Sequence, residues 1–136
     1  MTPQREIYLA LSTDAEILKV VSNDTTKISS TYPEISMFGP SSVKDNFPRI
    51  TYVLEDRRHS FFTDNTPAMD ELQFSVDIWL PSALLVDFTL NAIRMEIDRL
   101  MLGLGYRKIS ESEMRVIENR VHHLSLLYAK EFPSNL

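Results

Sequence analysis

Three histidines, nineteen acidic residues and no cysteine limit the chemistry open to this chain. His122 and His123 are neighbours. In a strand, successive side chains point to opposite faces, so this pair cannot grip one metal ion together. His59 stands apart, behind Glu55-Asp56-Arg57-Arg58. The lack of cysteine removes thiolate nucleophiles, disulfides and thiolate metal sites together. Glycine occurs only at Gly39, Gly103 and Gly105, which leaves no P-loop or dinucleotide loop to cradle a phosphate. There is no G-x-S-x-G nucleophile elbow either. The carboxylate groupings Glu55-Asp56, Asp70-Glu71 and Glu111 with Glu113 fall in or near predicted loops and strand ends, where solvated charge is the ordinary state. No catalytic residue, cofactor or metal is expected.

The formal net charge of −5 argues against tight, sequence-independent binding to DNA, which depends on neutralising phosphates with a basic patch. The longest basic run, Arg57-Arg58-His59, directly follows two acids. With 136 residues, 43% of them hydrophobic, the chain has the length of one domain and can build one real core. No window approaches the ~20 apolar residues of a membrane span. The opening Met1 to Glu6 is polar and unlike a secretion signal. An intracellular protein, or one assembled inside a cell, is expected.

The elements that would position these residues follow from periodicity and punctuation. Thr2 and Pro3 suit the cap and first position of a helix, and Ile7, Leu11, Leu18 and Val21 lie near one of its faces. Thr13-Asp14-Ala15-Glu16 has a capping-box pattern, predicting two short helices joined near Ser12. Ile35 to Phe38 reads as a short edge strand, and Ser41 to Phe47 as an exposed loop with Phe47 at its tip. Ile50, Tyr52 and Leu54 alternate with Thr51, Val53 and Glu55, and Leu72, Phe74, Val76 and Ile78 alternate with Gln73, Ser75 and Asp77. The sixteen residues from Asp56 to Glu71 are too many for a tight hairpin. They are expected to form a long loop, mobile in the free protein and ordered on assembly. A helix is predicted from Ser82 to about Leu102, with Val86, Leu90, Ile93, Ile97, Leu100 and Leu104 on its buried side. Gly103 and Gly105 stop it, one of them in a left-handed cap. Met114 to Glu118 and Val121 to Lys130 read as two strands turning at Asn119-Arg120. The fold class is α+β: a single domain over residues 1–136, with a mostly antiparallel (mixed) sheet packed on one face by two α-helices. Trp79, Tyr52, Tyr128, the long loop or a partner chain must cover the other face.

Met37, Phe38, Phe47, Phe61, Phe62 and Met69 all fall in segments that otherwise read as loops. Such loops either close over the core or bury themselves in a partner, since contiguous apolar patches mark interaction sites. Phe38, Phe47, Arg57, Arg58, Phe61, Phe62 and Met69 are therefore the candidate assembly interface.

Four landmarks in order carry a family resemblance: Phe47-Pro48-Arg49-Ile50-Thr51-Tyr52, Phe62-Thr63-Asp64-Asn65, Phe74-Ser75-Val76-Asp77-Ile78-Trp79, and Leu102-Gly103-Leu104-Gly105-Tyr106. Val121 to Tyr128 follows as a final strand. The span from Phe47 to Phe132 resembles the tail-completion, tail-terminator or tail-to-head joining proteins of siphophages of Gram-positive bacteria. It departs at Leu127, where that family would have arginine, and in its N-terminal helix. The resemblance implies a structural, non-enzymatic virion protein at the head–tail junction, assembled in the host cytoplasm. It implies a homo-oligomeric ring, of six subunits, that caps the tail tube, stops its elongation and meets the head connector or stopper. DNA would pass through the ring without sequence-specific binding, and no membrane is involved. An acidic ring suits that passage, because a lumen that attracted phosphate would retain the DNA. A different phage head-completion or minor tail interaction protein with the same core is the alternative.

Overall fold

The computed structural model describes residues 1–33, 47–81, 89–116 and 121–134, with no side-chain detail for 114–116. The chain begins with helix α1 (Pro3–Thr13), capped by Thr2 Oγ1, which accepts a hydrogen bond from the Arg5 amide at 3.2 Å. Pro3 has no amide hydrogen to lose at that position. Asp14 then takes an extended conformation, closing α1 and opening α2 (Ala15–Val20), and its carboxylate accepts from the Ile17 amide at 3.1 Å. The predicted break is present, displaced to Asp14. Ser22 and Asn23, both at positive φ, turn the chain into a short 3-10 turn and strand β1 (Ile28–Ser29).

Strands β2 (Arg49–Thr63), β3 (Thr66–Pro81), β4 (Arg107–Val116) and β5 (Val121–Pro133) complete a mixed sheet in the order β1-β2-β3-β5-β4. β1 runs parallel to β2, and the other pairs are antiparallel. Helix α3 (Leu90–Gly103) lies between β3 and β4 in sequence. The α+β fold expected from the sequence is therefore observed, with the N-terminal helix present as the two pieces α1 and α2.

One face of the sheet makes the core. Ile50 and Tyr52 from β2, Leu72, Phe74, Val76 and Ile78 from β3, and Leu124, Leu126 and Tyr128 from β5 are buried there with Ile7, Leu11, Ile17, Ile93, Ile97 and Met101 from the helices. The buried helix positions recur at three- and four-residue steps, one stripe of each helix. At the end of α3, Gly105 has φ +94 and the Tyr106 amide reaches back to the Met101 carbonyl at 3.1 Å. This is the left-handed stop predicted for one of the two glycines. A Cβ on Gly105 would also stand 3.3 Å from Lys130 Cε.

Four expectations are corrected. Asp56 to Glu71 is not a loop: β2 and β3 run on through it and meet at Asp64-Asn65, both with positive φ. That is the two-residue turn whose twist matches a hairpin. The predicted helix is interrupted at Thr89, which is extended (ψ 138) and caps α3 by accepting from the Ala92 amide at 3.1 Å, so α3 begins at Leu90. β4 starts at Arg107, seven residues before the predicted Met114. Tyr52 and Tyr128 belong to the helix-side core and do not cover the opposite face. The predicted strand Ile35 to Phe38, most of the loop Ser41 to Phe47, Val86 and the Asn119-Arg120 turn lie outside the described residues.

Candidate assembly surfaces

Two regions outside the core hold the residues that could act on another molecule: the far half of the β2–β3 hairpin, and the sheet face opposite the helices.

The hairpin positions most of the candidate interface. Phe61 and Phe62 are 57% and 55% exposed, two adjacent rings on a strand. Register shifts between His59 and Phe61 and between Phe61 and Phe62 place Phe61 opposite Met69 and Phe62 opposite Pro67. Such extra residues bend a strand and re-aim its side chains. Arg58 is bound to Asp56 at 2.6 Å, and Arg57 lies 3.9 Å from Asp70. Asp70 is the buried anchor of the arm. It accepts from His59 Nδ1 at 2.7 Å and from Ser134 Oγ at 2.8 Å, joining β2, β3 and the end of β5. The His59 hydrogen bond, then that of Ser134, holds the Asp70 carboxyl below its ordinary range.

Phe47 departs from the expected exposed tip. Only 2% of it is exposed, and it precedes a cis peptide to Pro48 at the start of β2. It lies outside the helix-side cluster. A side chain buried in its own chain is unavailable to a partner, so Phe47 leaves the candidate interface. Phe38 lies outside the described residues. The hairpin brings together Arg57, Arg58, Phe61, Phe62 and Met69, the remaining five.

The second sheet face is the one that Ser75 and Asp77 share. It holds Thr51, Ser75, Asp77, Trp79 and His123, all buried. Trp79 Nε1 donates to Thr51 Oγ1 at 3.1 Å, and the indole stacks on the His123 ring with centroids 3.7 Å apart. Tyr32, beyond β1, sets its ring edge-on to Trp79 and hydrogen-bonds Glu55; burial, then that bond, raises its phenol pKa. Ser75 Oγ donates to Asp77 Oδ1 at 2.7 Å and lies 3.2 Å from Ser125 Oγ. Asp77 is fully buried and its Oδ2 has no hydrogen-bond partner among the described residues. His123 Nε2 lies 3.5 Å from Asp77 Oδ1, within ion-pair reach, yet it makes no hydrogen bond. The signal in the sequence was the Ser75-Asp77-Trp79 alternation, which fixed the face but not its burial.

Serine, histidine and aspartate therefore meet, in an arrangement unlike a hydrolase triad. Ser75 gives its proton to the carboxylate, whereas a nucleophile must give it to the imidazole. His122, with Nδ1 3.9 Å from Glu113, diverges from His123 as predicted. Among the described residues no three metal-ligating side chains come together, and no helix is long and apolar enough to cross a membrane.

The comparisons with known proteins bear on the fold. No family model and no curated protein matches the chain. A solved chain from the virion of a native gene transfer agent particle matches it at a TM-score of 0.62 and 14% identity, covering 97% of this chain and 95% of that one. The two share a fold over nearly their whole lengths.

Proposed function

We propose that this chain is a structural protein of a tailed, phage-like virion, acting by assembly and not by catalysis. The observation that carries the reading is the end-to-end structural overlap with a chain of the gene transfer agent virion. The ordered sequence landmarks that resemble tail-completion proteins support it independently. In this reading the subunits close a ring of six on the end of the tail tube, halt its growth and meet the head connector, while DNA passes through without base-specific contact. Head-to-tail contacts close a ring only when each subunit carries two unlike patches. The hairpin arm supplies one, with Phe61 and Phe62 beside Arg57 and Arg58. The acidic balance of the chain suits a lumen that lets phosphate pass.

The test is electron microscopy of particles made without this protein. The proposal expects heads and tails that fail to join, with tails of uncontrolled length, and restoration by the intact gene. Normal joined particles in its absence would overturn it. Head-shell defects with normal tails would favour a head-completion role.

A further inference from the structure

We infer that the sheet itself continues from one subunit to the next, with the outer edge of β2 in one copy pairing antiparallel with the outer edge of β4 in another. β1 covers β2 only at Ile50 and Thr51. From Tyr52 to Thr63 the outer edge of β2 has no strand beside it among the described residues, and β4 pairs on one side only, with β5. Both edges are long, and an unpaired edge is a row of free donors and acceptors that templates another strand. Strand direction permits the join. β2 and β5 run the same way, β3 and β4 the other, so the two outer long strands are antiparallel. Rotation about an axis along the strands therefore sets β4 of one copy antiparallel to β2 of the next.

The side chains favour one register. Arg57 and His59 stand opposite Leu72 and Asp70, and Glu113 and Glu111 opposite Leu124 and Leu126. All four positions thus belong to the helix-side face of their sheet. A regular antiparallel pairing that puts Arg57 opposite Glu113 also puts His59 opposite Glu111, basic residues on one edge and acids on the other. Opposite charges facing each other across strands stabilise a pairing, whereas like charges oppose it. Two copies joined by β2 to β2 would set these basic residues against one another. The second copy is therefore joined head to tail, which deepens the ring reading above and depends on it only for closure.

The chain has no cysteine, so engineered pairs report cleanly. The double variant R57C/E113C, purified and mildly oxidised, is expected to give a ladder of covalent multimers on a non-reducing gel. The single variants are expected to give no more than a trace of dimer. A strong dimer from R57C alone would show a two-fold β2–β2 contact and overturn the inference, as would the absence of a ladder in the double variant. Both side chains are about half exposed, and circular dichroism checks that the fold is kept. In sedimentation, R57E should weaken self-association at least tenfold and R57E/E113R should restore it. An unrescued double variant would also overturn the pairing. If the pairing fails while particles still need the protein, the virion role stands without it. If the ladder forms but particles assemble normally without the protein, the pairing stands and the virion role falls.

Discussion

The two faces of this one sheet are both buried, yet they are filled in opposite ways. On the helix side, three strands present Ile50, Phe74, Val76, Ile78, Leu124 and Leu126 to apolar helix stripes. On the other side, Thr51, Ser75, Asp77 and His123 are packed around Trp79. A dry apolar core draws its stability from area removed from water and tolerates no cavity. A buried polar face must satisfy its groups, and among the described residues this one gives Asp77 Oδ2 and His123 Nε2 no hydrogen bond. The contrast teaches that the helix face secures the fold, while the opposite face holds polar groups at some cost to stability.

Four measurements would break or sharpen that comparison. The largest effect is expected for Phe47→Asp. A buried phenylalanine lost costs about 3–5 kcal/mol through its cavity alone, and a carboxylate in its place adds the penalty of an unpaired buried charge. Circular dichroism should show an unfolded or grossly destabilised protein; a folded variant would mean that Phe47 can leave its site. Next, Ile93→Ala on the helix face should cost about 2–5 kcal/mol in urea denaturation. An unchanged midpoint would show that α3 does not seal the core. On the polar face, Asp77→Asn should change stability by less than about 1 kcal/mol, because the amide oxygen can still accept from Ser75 and no buried charge is left to desolvate. A loss above about 3 kcal/mol would show that the carboxylate's charge holds His123 in place.

The smallest effect concerns acid. The Asp70 carboxyl is depressed by His59 and Ser134, so its contribution is present above the ordinary carboxylate range. It is lost as pH falls from about 4 through the lower folded value. Asp70→Asn should therefore flatten the acid limb of the stability curve while changing its slope near neutrality little. An acid limb identical to that of the parent protein would remove Asp70 as the anchor of the hairpin arm.

What could be read from sequence tracks how strictly each segment keeps one period. Leu72 to Ile78 alternates without interruption, and Leu72, Phe74, Val76 and Ile78 take the buried face expected of them, while the burial of Ser75 and Asp77 on the other face gave no signal. Ile93 and Ile97 of the helix stripe and the stop at Gly105 were likewise open to view, whereas Leu90, Leu100 and Leu104 are only partly buried and Met101, outside the expected stripe, is fully buried. The hairpin arm was hidden because Arg57-Arg58-His59-Ser60 is polar on both faces, so no alternation announces a strand. Register shifts at three points then reverse the parity that a pattern search relies on. Asp64-Asn65 did carry turn chemistry, but its meaning depends on recognising strands on both sides. Of the candidate interface, exposed aromatics on the arm were found by composition. Phe47 was misplaced because a lone aromatic beside prolines looks the same whether it is a loop tip or a plug.

The position of β5 also has a consequence for how the chain acquires its shape. It is inserted between β3 and β4, and follows both in sequence. Until it arrives, β4 has no neighbour and β3 lacks one side of its ladder. The sheet is therefore completed by a segment about forty residues downstream of the end of β3, a non-local closure of the kind that slows folding and leaves apolar strands unguarded meanwhile. A nascent or truncated chain that stops before Val121 would leave β3 and β4 without the strand that joins them, a half-built sheet whose open edges favour association with other chains.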